Sequence, residues 1–167
     1  MFGQRVLKDQ AMPPTGFRVA KYDEDLQQLN QLMLELLKST HAAIIKACEA
    51  LSERDLEKAE VVIHNDDAID HLELMVHKSA SDLIMRYQPI SVDLRKILAS
   101  MRVASDLERI GDIAESISRR VISMGDKPVL AVRRVSSLAI LVQERFDRLV
   151  AAYESRSAIH RRRHPRA

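Results

Sequence analysis

The segment Ser105–Glu115, SDLERIGDIAE, carries Glu108 and Asp112 four residues apart. On an α-helix that spacing stacks both carboxylates on one face, where like charges cost about 0.2–0.5 kcal/mol. Gly111 beside them costs about 1 kcal/mol more in a helix interior. A second pair, Asp66 and Asp70, has the same spacing. Asp70 lies 19 residues before Pro89 and Glu108 lies 19 after it, while Asp66 and Asp112 lie 23 on either side. In an antiparallel hairpin centred on Pro89, Asp70 meets the level of Glu108 and Asp66 that of Asp112, with the levels about 6 Å apart. Four carboxylates so gathered do not all stay ionised without a counter-charge. A hard divalent or trivalent cation with oxygen ligands supplies one. The expected metal ligands are therefore Asp66, Asp70, Glu108 and Asp112, with Gly111 leaving space for a ligand, a water or the neighbouring helix. The plainer alternative is a wet, charged surface on which Arg102 and Arg109 neutralise nearby acids.

Long helices must position these groups. Between Gly16 and Pro89 there is neither glycine nor proline. Leu26, Leu29, Met33, Leu36, Thr40, Ile44, Ala47 and Leu51 recur in steps of three and four, which predicts an amphipathic first helix with Asp23–Asp25 in its first turn. Ser52 is the expected N-cap of the second, with Asp55 as its capping-box partner. That helix runs to about Tyr87 and carries Leu56, Ala59, Ile63, Val76, Ala80 and Leu83. Pro89 ends it, and Ser91 can cap a third helix with Asp93 in its first turn. Leu94, Leu98, Met101, Ala104, Ile117 and Val121 follow, with Gly125 and Pro128 as stop signals. The acids fall in the same phase: Ile63, Asp66, Asp70, Glu73 and Val76 in one helix, Leu98, Met101, Ser105, Glu108 and Asp112 in the other. They are expected to interrupt buried stripes. A fourth helix, about Leu130–Ser155, shows Val135, Leu138, Val142, Leu149 and Ala152 on one side. Short turns between long helices predict an antiparallel bundle.

Composition agrees with an all-α chain. Among 167 residues, 46% are apolar and 30% charged, with four glycines, five prolines and no tryptophan. Five of the 26 basic residues sit in the last 13 positions, and without them the body carries 21 basic against 24 acidic residues, a net charge of −3. The body gives no reason to expect nucleic-acid binding, and the tail, without aromatic residues for stacking, gives only a non-specific one. The single Cys48 reads as a small core residue. No apolar run reaches the roughly 20 residues of a membrane span, and the N-terminus lacks a signal-peptide core. A cytoplasmic protein is the default expectation. His64, His71 and His77 lack zinc-site spacing and read as a solvated face. No phosphate-cradling glycine loop, nucleophile elbow or ordered triad is present. A metal-dependent enzyme is the weakest reading, because the Glu-x-x-His pairs of di-iron bundles are missing.

The stretch RYQPISVDLRKILASMRVASDLERIGDIAESI, Arg86–Ile117, resembles the signature of PhoU, the bacterial phosphate-uptake regulator: a Q-P-x-x-x-D-L-R turn coupled to a D-L-E-R-I-G-D helix. YDEDLQQLNQLMLELL and ALSERDLEKAEVVIHNDDAIDHLE are similar to its first helix and the start of its second. The resemblance implies two three-helix bundles related by an internal repeat, and metal ions, iron clusters in some members, on E/D-x-x-x-D motifs. Here those motifs match Asp66 with Asp70 and Glu108 with Asp112. Zinc, manganese and magnesium also suit such oxygen ligands. The resemblance further implies a non-enzymatic cytoplasmic regulator, often a homodimer, that restrains phosphate uptake and the phosphate regulon. Its partners would be the ATP-binding subunit of the phosphate ABC transporter and a membrane sensor histidine kinase.

The chain departs from that pattern after Ser155, where an arginine-rich tail stands in place of further acidic helices. The expected organisation is a flexible arm (1–18), a PhoU-like antiparallel three-helix bundle (19–126), one helix of an incomplete second bundle (127–155) and a basic disordered tail (156–167). A truncated product, from an altered reading frame, is the matching expectation.

Overall fold

The computed structural model describes residues 15–124 and 132–163, with side-chain environments given for 20–124 and 137–155. The described residues form four α-helices and no strand: α1 Thr15–Glu53, α2 Leu56–Tyr87, α3 Ser91–Met124 and α4 Val132–Arg163. Helices α1, α2 and α3 each contact the other two, whereas among the described residues α4 contacts α1 alone. The all-α bundle with an added fourth helix is the fold expected.

Helix ends differ in detail from expectation. Helix α1 begins at Thr15, so residues 15–18 belong to it rather than to a loose arm, and residues 1–14 lie outside the described part. A glycine at its second position costs little, because the first turn has no intrahelical acceptors to lose. Asp23–Asp25 consequently lie well inside α1. Asp25 instead accepts a hydrogen bond from Tyr87 Oη at 2.8 Å and lies 3.7 Å from Arg86, tying α1 to the end of α2.

The N-cap of α2 is Asp55, not Ser52. Its side chain accepts from the Lys58 backbone N–H at 2.9 Å, while the Ser52 hydroxyl donates back to the Cys48 carbonyl. Arg54 takes the left-handed conformation, φ 59°, and the Asp55 N–H bonds the Ala50 carbonyl at 3.0 Å, closing α1 by a Schellman turn without a glycine. Asp55→Ala should cost about 0.5–2 kcal/mol, read as a lower urea midpoint at unchanged slope. At the other end of α2, Gln88 is left-handed, φ 47°, and its N–H reaches the Ile84 carbonyl. Ser91 opens α3 with φ 53°, and Asp93 sits in the first turn as expected.

The core lies where α1–α3 meet. On α1 the buried residues include Leu26, Leu29, Met33, Leu36, Thr40, Ile44 and Ala47, as the periodicity predicts. Thr40 donates its hydroxyl to the Leu107 carbonyl of α3 at 3.4 Å. On α2 the buried positions are Ala59, Val62, Ile69, Val76, Ala80 and Leu83, whereas Leu56 is 49% exposed. On α3 they are Ile97, Ala104, Leu107, Gly111, Ala114, Ser118 and Val121, while Leu98 is exposed. That is one residue out of phase with the expected Leu98–Ser105–Glu108–Asp112 stripe. Four of the seven, Ala104, Gly111, Ala114 and Ser118, are small residues, which let helices approach closely and which a search for large apolar side chains passes over.

Helix α4 packs on α1 through Phe146, whose ring stacks on His41 with centroids 5.1 Å apart. Tyr153 Oη bonds Asn30 at 3.1 Å, and Lys38 pairs with Glu154 at 2.7 Å. The α1-facing stripe is thus Val142, Phe146, Val150 and Tyr153. Of the expected stripe only Val142 belongs to it. Leu138, Leu149 and Ala152 are exposed, and the Val135 side chain lies outside the described residues. Residues 156–163 continue α4 and are not a disordered tail. RSAIHRRR contains no glycine or proline, and Arg and Ala rank high in helix propensity, so the helix needs no apolar period to persist. Residues 125–131 and 164–167 lie outside the described part. No helix of the described residues is long and apolar enough to cross a membrane.

Candidate metal centre

Helices α2 and α3 run antiparallel from the turn at Pro89, and the acidic turns of both reach the same level. One carboxylate oxygen each from Asp66, Asp70 and Asp112 lies within 4.8 Å of the other two. Glu108, the fourth expected ligand, is not in that triad, though the charges of Asp112, Asp70 and Asp66 all act on it. The acids do not interrupt a buried stripe. Asp66 and Glu108 are half-buried, Asp70 and Asp112 exposed, and all four line the rim beside the seam.

Gly111 is the buried residue here. A Cβ built on it would stand 3.1 Å from Ile69 Cγ2, 3.3 Å from Ile69 Cδ1 and 3.6 Å from Asp66 Oδ1. Of the three uses foreseen for its missing side chain, close approach of the neighbouring helix is the one observed. That approach brings the Asp66 carboxylate up against α3.

The electrostatics are those of uncompensated like charge. Burial pushes the Asp66 carboxyl up to about 6, with the charges of Glu115, Asp70 and Asp112 adding to it. Burial also raises Asp70, seconded by Asp112 and Asp67, and raises Glu108, seconded by Asp112 and Asp70. Among the described residues no lysine or arginine forms an ion pair with Asp66, Asp70, Glu108 or Asp112, so Arg102 and Arg109 do not neutralise them. Converging carboxylate oxygens with an unmet positive charge are a donor set that suits a hard cation.

Three further groups complete the surroundings. Glu115 is a neighbour of Asp66, seven residues beyond Glu108 on the same flank of α3, and that heptad spacing was the available signal. Glu73 accepts from the Ser105 hydroxyl at 2.9 Å, and His77 Nε2 lies 3.0 Å from the same Glu73 oxygen and 3.1 Å from Ser105 Oγ. His77 is therefore tied into the acidic groove, while His64 and His71 stay on the exposed face.

Residues 19–121 match the family described as the PhoU domain. The chain belongs to the PhoU family. Three PhoU relatives, each named a phosphate-specific transport system accessory protein PhoU homologue, show the extent of the similarity. The protein of Aquifex aeolicus is 39% identical over 110 residues, 66% of this chain and 50% of its own length. That of Rhizobium meliloti is 31% identical over 141 residues, 83% of this chain and 60% of its own length. That of Zymomonas mobilis is 32% identical over 147 residues, 84% of this chain and 60% of its own length. The chain thus spans about half to three-fifths of the PhoU relatives it matches.

Proposed function

We propose that the chain is a cytoplasmic accessory regulator of phosphate uptake that works by docking rather than catalysis. It restrains transport and the phosphate-starvation response when phosphate is plentiful. Its partners are the ATP-binding subunit of the phosphate transporter and the sensor histidine kinase of the same circuit. The observation that carries this reading is the PhoU match over residues 19–121, joined by the names of the relatives as accessory proteins of phosphate-specific transport. The purified chain should retain the transporter ATPase on an affinity column, to different extents at high and low phosphate. Absence of retention at both would defeat the proposal.

A metal ion is part of the proposal. Asp66, Asp70 and Asp112 would hold it, with Glu108 at the rim. A bound cation supplies the positive charge that the carboxylates lack. The chain's own residues would then fix α2 against α3 across Gly111, giving the docking face one shape. Oxygen donors alone suit iron, zinc, manganese and magnesium. Asp66→Asn combined with Asp112→Asn should remove most of the metal found by elemental analysis, with helix content unchanged. Full metal content in that variant would place the ion elsewhere.

A further inference from the structure

The turn between α2 and α3 carries bare apolar side chains. Ile90 is 79% exposed and Met85 68%, the two highest values among the large apolar side chains of the described residues, and Val92 is exposed with them. Left-handed Gln88 and Ser91 bracket Pro89 and Ile90, a backbone bend that leaves Ile90 outside the core. Basic groups stand alongside. Arg86 pairs with Asp25 and Asp82, and Lys96 with Asp93. Arg95 is exposed and has no ion-pair partner among the described residues.

The other helices bring more positive charge to the same end. Asp25 of α1 meets Tyr87 and Arg86. Helix α1 begins ten residues earlier, at Thr15, which carries its first turns about 15 Å past that level. Those turns, GFRVAK, combine Phe17 and Val19 with Arg18 and Lys21. Helix α4 runs antiparallel to α1, since Phe146 lies against His41 and Tyr153 against Asn30. At that register Arg161–Arg163 reach the level of the Lys21–Leu26 turn. Residues 15–26, 82–96 and 156–163 hold nine lysines and arginines against five acids. The opposite end, residues 48–60, 115–124 and 132–140, holds six of each. The positive surplus therefore belongs to the end with the bare apolar turn.

We propose that this end of the bundle docks directly on an anionic lipid surface. Met85, Ile90 and Val92 enter the boundary between headgroups and acyl chains, and the lysines and arginines around them meet lipid phosphates. Shallow apolar insertion combined with basic charge is how segments bind anionic membranes without spanning them. The acidic turns do not oppose it. Asp70 and Glu108 lie 19 residues from Pro89 along their helices, about 28 Å away, against a Debye length of about 8 Å. A nucleic-acid strand would answer the charge alone, because single-strand binding relies on aromatic stacking, and Met85, Ile90 and Val92 supply none. The contact needs neither the transporter ATPase nor the kinase.

Co-sedimentation of the 167-residue chain with lipid vesicles tests this. Vesicles of phosphatidylglycerol and phosphatidylcholine in equal parts should carry the protein down at low salt, and vesicles of phosphatidylcholine alone should not. Raising the salt to about 1 M, where the Debye length is about 3 Å, should weaken binding about tenfold or more. Met85→Ser, Ile90→Ser and Val92→Ser together should weaken it by a similar factor with unchanged circular dichroism, since exposed side chains leave no cavity behind. Arg95→Glu should weaken it roughly threefold or more. A chain that stays in solution beside the anionic vesicles at low salt would overturn the proposal. So would vesicle binding indifferent to the triple serine change, or retention of a DNA oligonucleotide without any binding to vesicles.

Discussion

Gly111→Leu should lower the unfolding free energy by about 1–3 kcal/mol or more, the cost of overpacking a closed seam. The first added carbon already stands 3.1 Å and 3.3 Å from two atoms of Ile69, itself buried. Three further carbons have no space beyond it, so α2 and α3 must separate. Gly111→Ala sets two effects against each other. Alanine gains about 1 kcal/mol of helix propensity, while Ile69 must yield by a few tenths of an ångström. The alanine variant should therefore stay near wild type and the leucine variant should not. Urea denaturation followed by circular dichroism reads both. A leucine variant as stable as wild type would show that the two helices do not approach as closely as described. The same substitution should displace Asp66, 3.6 Å from the added carbon, and weaken any cation site with it.

Asp66→Asn should raise the melting temperature of metal-free protein at pH 7. The folded chain holds the Asp66 carboxyl at about 6, against an ordinary value of 3.8, so the native state binds this proton more tightly than the unfolded state does. Below both values the group is protonated in either state and has no effect. As pH rises from about 4 through 6 the native state gives up a proton it holds favourably, and stability falls. Above that window the penalty is fully present. Asp70 and Glu108, raised from the same cause, push in the same direction. The difference between wild type and Asp66→Asn, measured at pH 4 and pH 7, isolates the one group. It should be small at pH 4 and favour the variant at pH 7. An added divalent ion should reverse the order at pH 7, because a ligand held a hundredfold above its Kd stabilises the native state by about 2.7 kcal/mol. Equal differences at both pH values would mean that Asp66 is fully solvated.

Much of this molecule was legible before any coordinates. The first-helix stripe from Leu26 to Ala47 is buried as its steps of three and four require. Equal distances from Pro89 placed Asp66, Asp70 and Asp112 together, because an antiparallel hairpin conserves register about its turn. Glu108 was placed at the right level but outside the converging triad, since register fixes height and says little about side-chain direction. Cap identity was misplaced by three residues at Asp55, where Arg54 adopts a left-handed conformation that no glycine announces. The phase of α3 was one residue off because Ala104, Gly111, Ala114 and Ser118 bury little area each and so leave a faint pattern.

By itself the sequence determined the four helices of the described residues, their antiparallel order and the pairing of two acidic turns. All three depend on local periodicity and on chain length measured from a turn, quantities that neighbours along the chain carry. Only the tertiary structure decided which flank of α3 turns inward, that Gly111 receives Ile69, and that α4 lays Phe146 against His41 while leaving Leu138 and Leu149 outside. Those outcomes depend on how surfaces of unequal size fit across space, and no single helix encodes the shape of its neighbour.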